Sequence, residues 1–379
     1  MDREIKLIKE RCQTAGCQSG IIWTMNILGI ETSCDETSVA VVRDGRYVLS
    51  NVIASQAHLH AKTGGVVPEV AARQHVEQIN AVIAEALSEA GIDFGGVDAV
   101  AVANRPGLLG ALLVGVSAAK ALAYTLDIPL LAVHHIEAHI YANWIVNTGD
   151  SSGMKPEAKW PPAVEAGSEA VAEFPALCLV VSGGHTEIFL LRGHGDYEIL
   201  GRTRDDAAGE AFDKSARLLG FPYPGGVTID KLARTGGDVN AVPLPRAWLG
   251  SDSLDFSFSG LKTAVATAVR NPENATVREA DWAASVQEAI VDVLVTKTLR
   301  AAKQHGVGRV MMAGGVAANS RLQERMREAC VDAGLGFHCP PPVLCTDNAA
   351  MIACAGYYHW TAGKIDGLDV DTLSTERLA

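Results

Sequence analysis

MNILGIETSCDETSVAVVRDGRYVLSN (25–51) decides the fold once it is set beside ALCLVVSGGHTEIFLLRGHGDYEILGRT (176–203). Each stretch opens on an apolar strand, passes a polar turn into a second apolar strand, and reaches a third strand through a glycine turn. Helix-like sequence follows each copy. Two copies of a three-stranded unit, each opening its own half of the chain, imply a duplicated α/β fold with a cleft between the halves.

In such a fold the polar turns ETSCDETS (31–38) and SGGHT (182–186) face each other across the cleft. They offer hydroxyls and free backbone N–H groups, a common way to hold phosphate. The architecture resembles the actin, Hsp70 and sugar-kinase (ASKHA) superfamily, two lobes around a central nucleotide cleft. The expected division is an N-terminal extension (1–24), a first lobe (25–146), a flexible insertion (147–173), a second lobe (174–363) and a tail (364–379). The insertion is rich in Gly, Ser, Pro, Ala and Glu and lacks a sustained apolar period. Met25 is an alternative start to Met1, and no chemistry is assigned to the extension, the insertion or the tail.

The composition narrows the class. A chain of 379 residues with 48% hydrophobic and 20% charged residues can bury a substantial core. Its longest apolar run, GLLGALLVGVSAA (107–119), stops at Lys120, short of the roughly 20 residues that span a bilayer. No membrane association and no signal peptide are expected. Eight scattered cysteines with no C-x-x-C suit reduced thiols in the cytoplasm. A net charge of −12 argues against non-specific nucleic-acid binding, which needs neutralised phosphates. Two local basic clusters stand against that trend: Arg202, Arg204, Lys214 and Arg217, and Lys297, Arg300 and Lys303.

Chemistry concentrates in a few motifs. His135 and His139 of HHIEAH (134–139) sit in a segment without glycine or proline, so a helix would bring their side chains to one face, with Cβ atoms roughly 5–6 Å apart. Zinc peptidases of the H-E-x-x-H type place a glutamate beside the metal as general base. Here Glu137 follows His135 by two residues and, at about 100° per residue, points nearly to the opposite side. In CTDNAAMIACAG (345–356) Thr346 or Asp347 caps a helix, or Asp347 completes a two-histidine, one-carboxylate set suited to Fe(II) or Zn²⁺. VVSGGHTEI (180–188) and VMMAGGVAANSRL (310–322) each run an apolar strand into a glycine pair that lets a ligand approach the backbone. Asp213 and Asp230 flank the Pro-x-Pro-Gly-Gly turn in 205–233 and are suited to accept from ribose hydroxyls.

These motifs occur together, and in order, in one family. GIETSCDETSVAVV, GGVVPEVAAR, HHIEAH, VVSGGHT, DDAAGEAFDK, YPGG, DFSFSGLKTA, MAGGVAAN and CTDNAAMIA resemble the bacterial tRNA N6-adenosine threonylcarbamoyltransferases (TsaD, glycoprotease-like family). The resemblance implies transfer of a threonylcarbamoyl group from threonylcarbamoyl-adenylate to N6 of the adenosine 3′ of the anticodon. The tRNAs concerned read codons beginning with A, and AMP leaves. It further implies one divalent metal, Fe(II) before Zn²⁺, on His135, His139 and Asp347. The adenylate would bind Val180, Val181, Ser182, Gly183, Gly184, Asp213, Gly226, Asp230 and Asn319. Implied partners are tRNA, a TsaB-like paralogue and a TsaE-like ATPase. Asp35 and Glu36, in the first turn, are the candidate catalytic groups that orient or deprotonate the amine.

Against the family pattern, Arg105 stands at the first glycine of the usual Gly-Pro-Gly. The residue before a proline favours extended backbone, so the loop is expected to keep its shape while gaining bulk and charge. Alternative readings of the whole chain are an actin-fold small-molecule kinase or ATPase, a metallopeptidase, or a non-catalytic scaffold.

Overall fold

The computed structural model describes residues 24–146, 173–247, 249–250 and 252–378. The expected extension and insertion therefore lie, but for Thr24 and Glu173, outside the described residues. The first sheet is built of β1 (Asn26–Glu31), β2 (Glu36–Arg43), β3 (Tyr47–Ser55), β4 (Ala99–Arg105) and β5 (Leu130–His134), in the order β3-β2-β1-β4-β5. The second is built of β6 (Ala176–Val181), β7 (Thr186–Gly193), β8 (Asp196–Arg202), β9 (Arg309–Ala313) and β10 (Gly336–His338), in the order β8-β7-β6-β9-β10. In both, the first three strands form an antiparallel meander and the last two join parallel to the first. The two units have one topology, so the duplication legible in the sequence is present in three dimensions.

The longer helices are α1 (Pro68–Ala90), α2 (Leu109–Leu126), α3 (His135–Tyr141), α4 (Ala208–Leu218), α5 (Gly225–Ala233), α6 (Ser259–Arg270), α7 (Glu279–His305), α8 (Ser320–Asp332) and α9 (Ala349–Thr361). Strand alternation sorts them into layers. Leu28 and Ile30 of β1 face a core closed by Ile79, Val82 and Ile83 of α1 and Val116 and Ala119 of α2. Leu177, Leu179 and Val181 of β6 face a core closed by Phe212 of α4 and Val286 and Ile290 of α7. The intervening residues, Ile27 on one sheet and Ala176, Cys178 and Val180 on the other, share a middle core with Ile136 and Ile140 of α3 and with Ala349–Ala355 of α9. Side chains that alternate about a strand thus bind each sheet to helices on both faces.

Two placements differ from the expected division. Although α9 lies within 174–363, it packs on β1: a Cβ at Gly29 would stand 2.9 Å from the Ala353 amide nitrogen. The first lobe is therefore discontinuous in sequence, because α9, buried along both sides, needs apolar partners from both sheets. The tail also returns to the first lobe. The Ala132 amide donates to Asp366 Oδ2 (2.8 Å), the Asp366 amide to the Leu130 carbonyl (2.9 Å) and the Leu373 amide to the Asn104 carbonyl (3.0 Å). Among the described residues one helix, α2, is long and apolar enough to cross a membrane, yet Leu112, Val116, Ala119 and Ala123 pack it onto the first sheet.

Candidate active site and metal centre

The two polar turns meet in one cavity of about 970 Å³. Ser33, Cys34, Asp35 and Glu36 line it from the first lobe; Ser182, Gly183, Gly184 and His185 line it from the second. The second turn is closed by its own backbone, with the Ser182 amide donating to the His185 carbonyl (2.8 Å) and the His185 amide to Ser182 Oγ (3.1 Å). A Cβ added at Gly183 or Gly184 would meet nothing within 4 Å, so bare backbone faces the cavity there. Val180 and Val181 precede this turn inside β6 with their side chains in the two cores. Gly315 adds the end of the β9 turn, and its neighbour Gly314, at φ +89°, passes so close to the Val181 carbonyl that no side chain fits.

The first turn is acidic instead. Burial, with Asp347 and Asp35 close by, pushes the Glu36 carboxyl up to about 9, while Ser55 Oγ donates to its Oε1 at 3.1 Å. Burial and the same carboxylates push the Cys34 thiol far above its ordinary range, which removes it as a thiolate nucleophile.

At the edge of the cavity stands the histidine pair. β5 runs straight into α3, and His134 caps that helix by accepting from the Ile136 amide at its Nδ1 (3.2 Å). His135 and His139 then share a face, with ring centroids 4.6 Å apart. Asp347 arrives just before the α9 cap, Asn348, whose Oδ1 accepts from the Met351 amide (3.1 Å). Its Oδ1 lies 3.5 Å from His135 Nε2 and 3.2 Å from His139 Nε2. One ligand atom from each of the three residues falls within 4.8 Å of the others.

The surroundings fit a cation. His139 is fully buried, and neither of its ring nitrogens makes a well-directed hydrogen bond. Burial opposes a charge on His135, but Glu31 and Asp347 outweigh it and hold the ring well above the usual range. Burial keeps His139 low. Asp347, despite its own burial, is drawn far down by the two imidazoles. A proton trapped between imidazoles and carboxylates occupies the role a divalent ion fills on these donors.

Sequence reading overlooked Glu31. Buried at the end of β1, it accepts from His135 Nδ1 at 2.9 Å and from the Ser33 amide at 2.5 Å. It thereby fixes the proton on Nδ1 and leaves Nε2 turned to Asp347, the arrangement of a carboxylate behind a metal-binding imidazole. Its place in an otherwise apolar strand was the available signal. Glu137, as its helical angle requires, faces away: His359 Nε2 lies 2.9 Å from Oε2 and the Tyr197 hydroxyl donates to Oε1 (3.1 Å).

Of the remaining expected adenylate residues, Asp213, Gly226, Asp230 and Asn319 do not line this cavity, and they bind the protein's own groups. Asp213 Oδ1 accepts from the Gly225 and Gly226 amides (2.8 and 3.3 Å), Asp230 Oδ1 from Ser320 Oγ (2.7 Å), and Asn319 Oδ1 from the Leu322 amide (2.9 Å). Asp213 also borders a smaller cavity of about 170 Å³ with Arg217 and Tyr223. Asp205 explains the hydroxyl-rich DFSFSG: it accepts from Ser257 Oγ, Ser259 Oγ and the Phe258 and Ser259 amides. Several members of the basic clusters are held by the protein's own groups, though Arg204 and Lys303 remain exposed. Arg204 pairs with Asp255, and Lys214 with Asp206 and Glu210, while Lys297 is buried and donates to the Ser253 and Asp255 carbonyls.

This geometry has counterparts in known proteins. The family model described as TsaD, tRNA N6-adenosine threonylcarbamoyltransferase, matches residues 47–157 and 162–354. The chain belongs to the TsaD family. Proteins named tRNA N6-adenosine threonylcarbamoyltransferase from Symbiobacterium thermophilum and Dehalococcoides mccartyi are 55% and 51% identical to it; each comparison spans 92% of this chain and, respectively, 95% and 98% of the relative. Among solved structures, HypF of T. kodakarensis superposes with a TM-score of 0.54 at 16% identity, over 90% of this chain and 48% of that one. That likeness shows the fold, the two-lobed ASKHA architecture. In the loop after Arg105 the Leu108 amide donates to the Ser33 carbonyl (2.8 Å), and a Cβ at Gly107 would stand 2.6 Å from that oxygen. The Arg105 guanidinium forms an ion pair with Glu376 and donates through Nη1 to Asn104 Oδ1 (2.9 Å).

Proposed function

We propose that this chain is the tRNA N6-adenosine threonylcarbamoyltransferase of its cell, taking the threonylcarbamoyl group from threonylcarbamoyl-adenylate. The acceptor is N6 of the adenosine 3′ of the anticodon in tRNAs that read codons beginning with A. The observation that carries the reading is the meeting, at one cavity, of a bare-backbone turn, an acidic turn and a His–His–Asp set that reaches it through His135 and Asp347, in a chain of the TsaD family.

The reaction is an acyl transfer. N6 attacks the carbamoyl carbonyl carbon, the bond from that carbon to the phosphate oxygen breaks, AMP departs and N6 loses a proton. Gly183 and Gly184 offer amides to the phosphate, and the second lobe as a whole cradles the nucleotide. Asp35 and Glu36 orient the amine and take its proton. His135, His139 and Asp347 hold a divalent metal, Fe(II) as first choice with Zn²⁺ as the rival, and Glu31 keeps His135 in register. When bound, that ion supplies Lewis acidity to a carbonyl that a weakly nucleophilic aromatic amine must attack.

Partners complete the enzyme. The net charge of −12 leaves this chain short of cations for tRNA, so a TsaB-like paralogue and a TsaE-like ATPase belong to the assembly. Exposed Val70 and Val76 on α1 and Leu109 and Leu113 on α2 give an apolar face for such a subunit. The unpaired cysteines Cys34, Cys178, Cys330, Cys339, Cys345 and Cys354 suit the cytoplasm.

The deciding experiment supplies threonylcarbamoyl-adenylate and unmodified tRNA together with the partner proteins and looks by mass spectrometry for the modified nucleoside. Product that vanishes with His135→Ala supports the reading, and no product from the wild-type assembly ends it.

A further inference from the structure

The C-terminal segment has no periodicity in sequence, yet it runs along the reaction cavity. Asn104 Nδ2 donates to the Asp371 carbonyl (2.9 Å), and the Gly107 amide donates to the Ser374 carbonyl (3.3 Å). His134 Nε2 approaches the Glu376 carbonyl at 3.3 Å, and Arg105 pairs with the Glu376 carboxylate. Every one of these anchors lies at the ends of β4 and β5 or in the loop that follows β4, beside the metal-site helix. Ser374, Thr375, Glu376 and Arg377 thereby become part of the cavity wall.

The charge on that wall is lopsided. Asp35, Glu36, Asp347 and Glu376 line it, and Arg377 is the single arginine or lysine among its lining residues. Arg377 makes no hydrogen bond or ion pair among the described residues, although its charge reaches the Glu187 carboxylate, whereas Arg105 and Arg204 pair directly with carboxylates. The donor carries two oxyanions, a phosphate and a threonyl carboxylate. Carboxylates alone would repel both, and a planar guanidinium is the side chain best shaped to bind either one through two parallel hydrogen bonds.

We propose that the C-terminal segment is part of the donor site, with Arg377 binding an oxyanion of the adenylate and Arg105 positioning the segment that carries it. The proposal rests on the transferase reading above. It gives Arg105 a role: the guanidinium clasps Glu376 and holds the next residue at the cavity. Arg377 is a binding residue, and Arg105 acts through it.

The test compares wild type, Arg377→Gln, Arg105→Gly and a chain ending at Asp371, each in the complete assembly with tRNA. Steady-state transfer gives KM for the donor and kcat; calorimetry with AMP and with threonylcarbamoyl-adenylate gives binding. Arg377→Gln is expected to raise the donor KM roughly tenfold or more with kcat within about twofold, and Arg105→Gly to move KM the same way by less. Weakened AMP binding assigns the contact to the phosphate; weakened binding of the adenylate alone assigns it to the carboxylate. An unchanged donor KM in both Arg377→Gln and the shortened chain overturns the proposal, as does a shortened chain with a lower KM, which would make the segment an obstruction. Arg377 is exposed, so unfolding does not confuse the single variant. A wild-type assembly that makes no modified nucleoside removes the transferase reading, while the AMP arm still reports the phosphate contact.

Discussion

The turn after β1 and the turn after β6 occupy equivalent places in two units of one topology, and they are built for different chemistry. Between β1 and β2 the chain presents Ser33, Cys34 and Asp35, with Glu36 opening β2, where burial, with Asp347 and Asp35 close by, holds its proton up to about 9. Between β6 and β7 it presents Gly183 and Gly184 as bare backbone, flanked by the neutral side chains of Ser182 and His185, with no carboxylate. Duplication supplied a pair of identical scaffolds, and a handful of turn residues then divided the labour between charge and bare amide. The scaffold tolerates this because a hairpin turn at the cleft contributes little to either core.

The comparison breaks if the acidic side proves dispensable. His139→Ala removes a buried donor from the His–His–Asp set and is expected to abolish bound metal and lower single-turnover transfer by about 10²–10³-fold, read by elemental analysis and quench-flow; retained metal and rate would show that the set is structural. Glu36→Gln should cost about 10²-fold in the same rate. A carboxyl raised to about 9 is mostly protonated at pH 7, so its basic form grows as pH climbs. Wild-type transfer is accordingly expected to rise from pH 7 through 9, and the Glu36→Gln profile to be flat there.

Smaller effects sharpen the contrast. Glu31→Gln leaves the ligands in place but weakens the hold on His135 Nδ1, and metal affinity measured by titration should fall roughly 10–100-fold. Gly183→Ala adds a methyl group where nothing lies within 4 Å, so melting temperature should stay put while the donor KM rises a few-fold. Gly209→Ala, whose Cβ would lie 2.7 Å from the Ser182 carbonyl, should instead cost stability, about 1–3 kcal/mol, because it pushes on the same turn from the protein side. If Gly183→Ala changed kcat and not KM, the second turn would be more than a binding surface.

Much of this was legible in the chain. The repeated strand pattern announced two lobes, the i, i+4 spacing announced one face for His135 and His139, and the family motif pointed to Asp347. Other features were hidden for specific reasons. Glu31 reads as a strand residue until the partner 104 positions away is known. Asp213, Asp230 and Asn319 look free in sequence, whereas nearby amides and hydroxyls already use their oxygens. Lys297, expected on a basic face, is enclosed by the 253–255 loop.

Local pattern, then, is what the sequence determined by itself: alternation, turn chemistry and helix faces depend on residues within a few positions of one another, and side-chain period and backbone sterics decide them. Tertiary structure alone decided that α9 lies between the sheets, that Glu31 stands behind His135, and that a patternless tail reaches the cavity through contacts such as His134 with Glu376, 242 positions apart. No periodicity encodes such a meeting, because it follows from how both sheets and their helices fill one core.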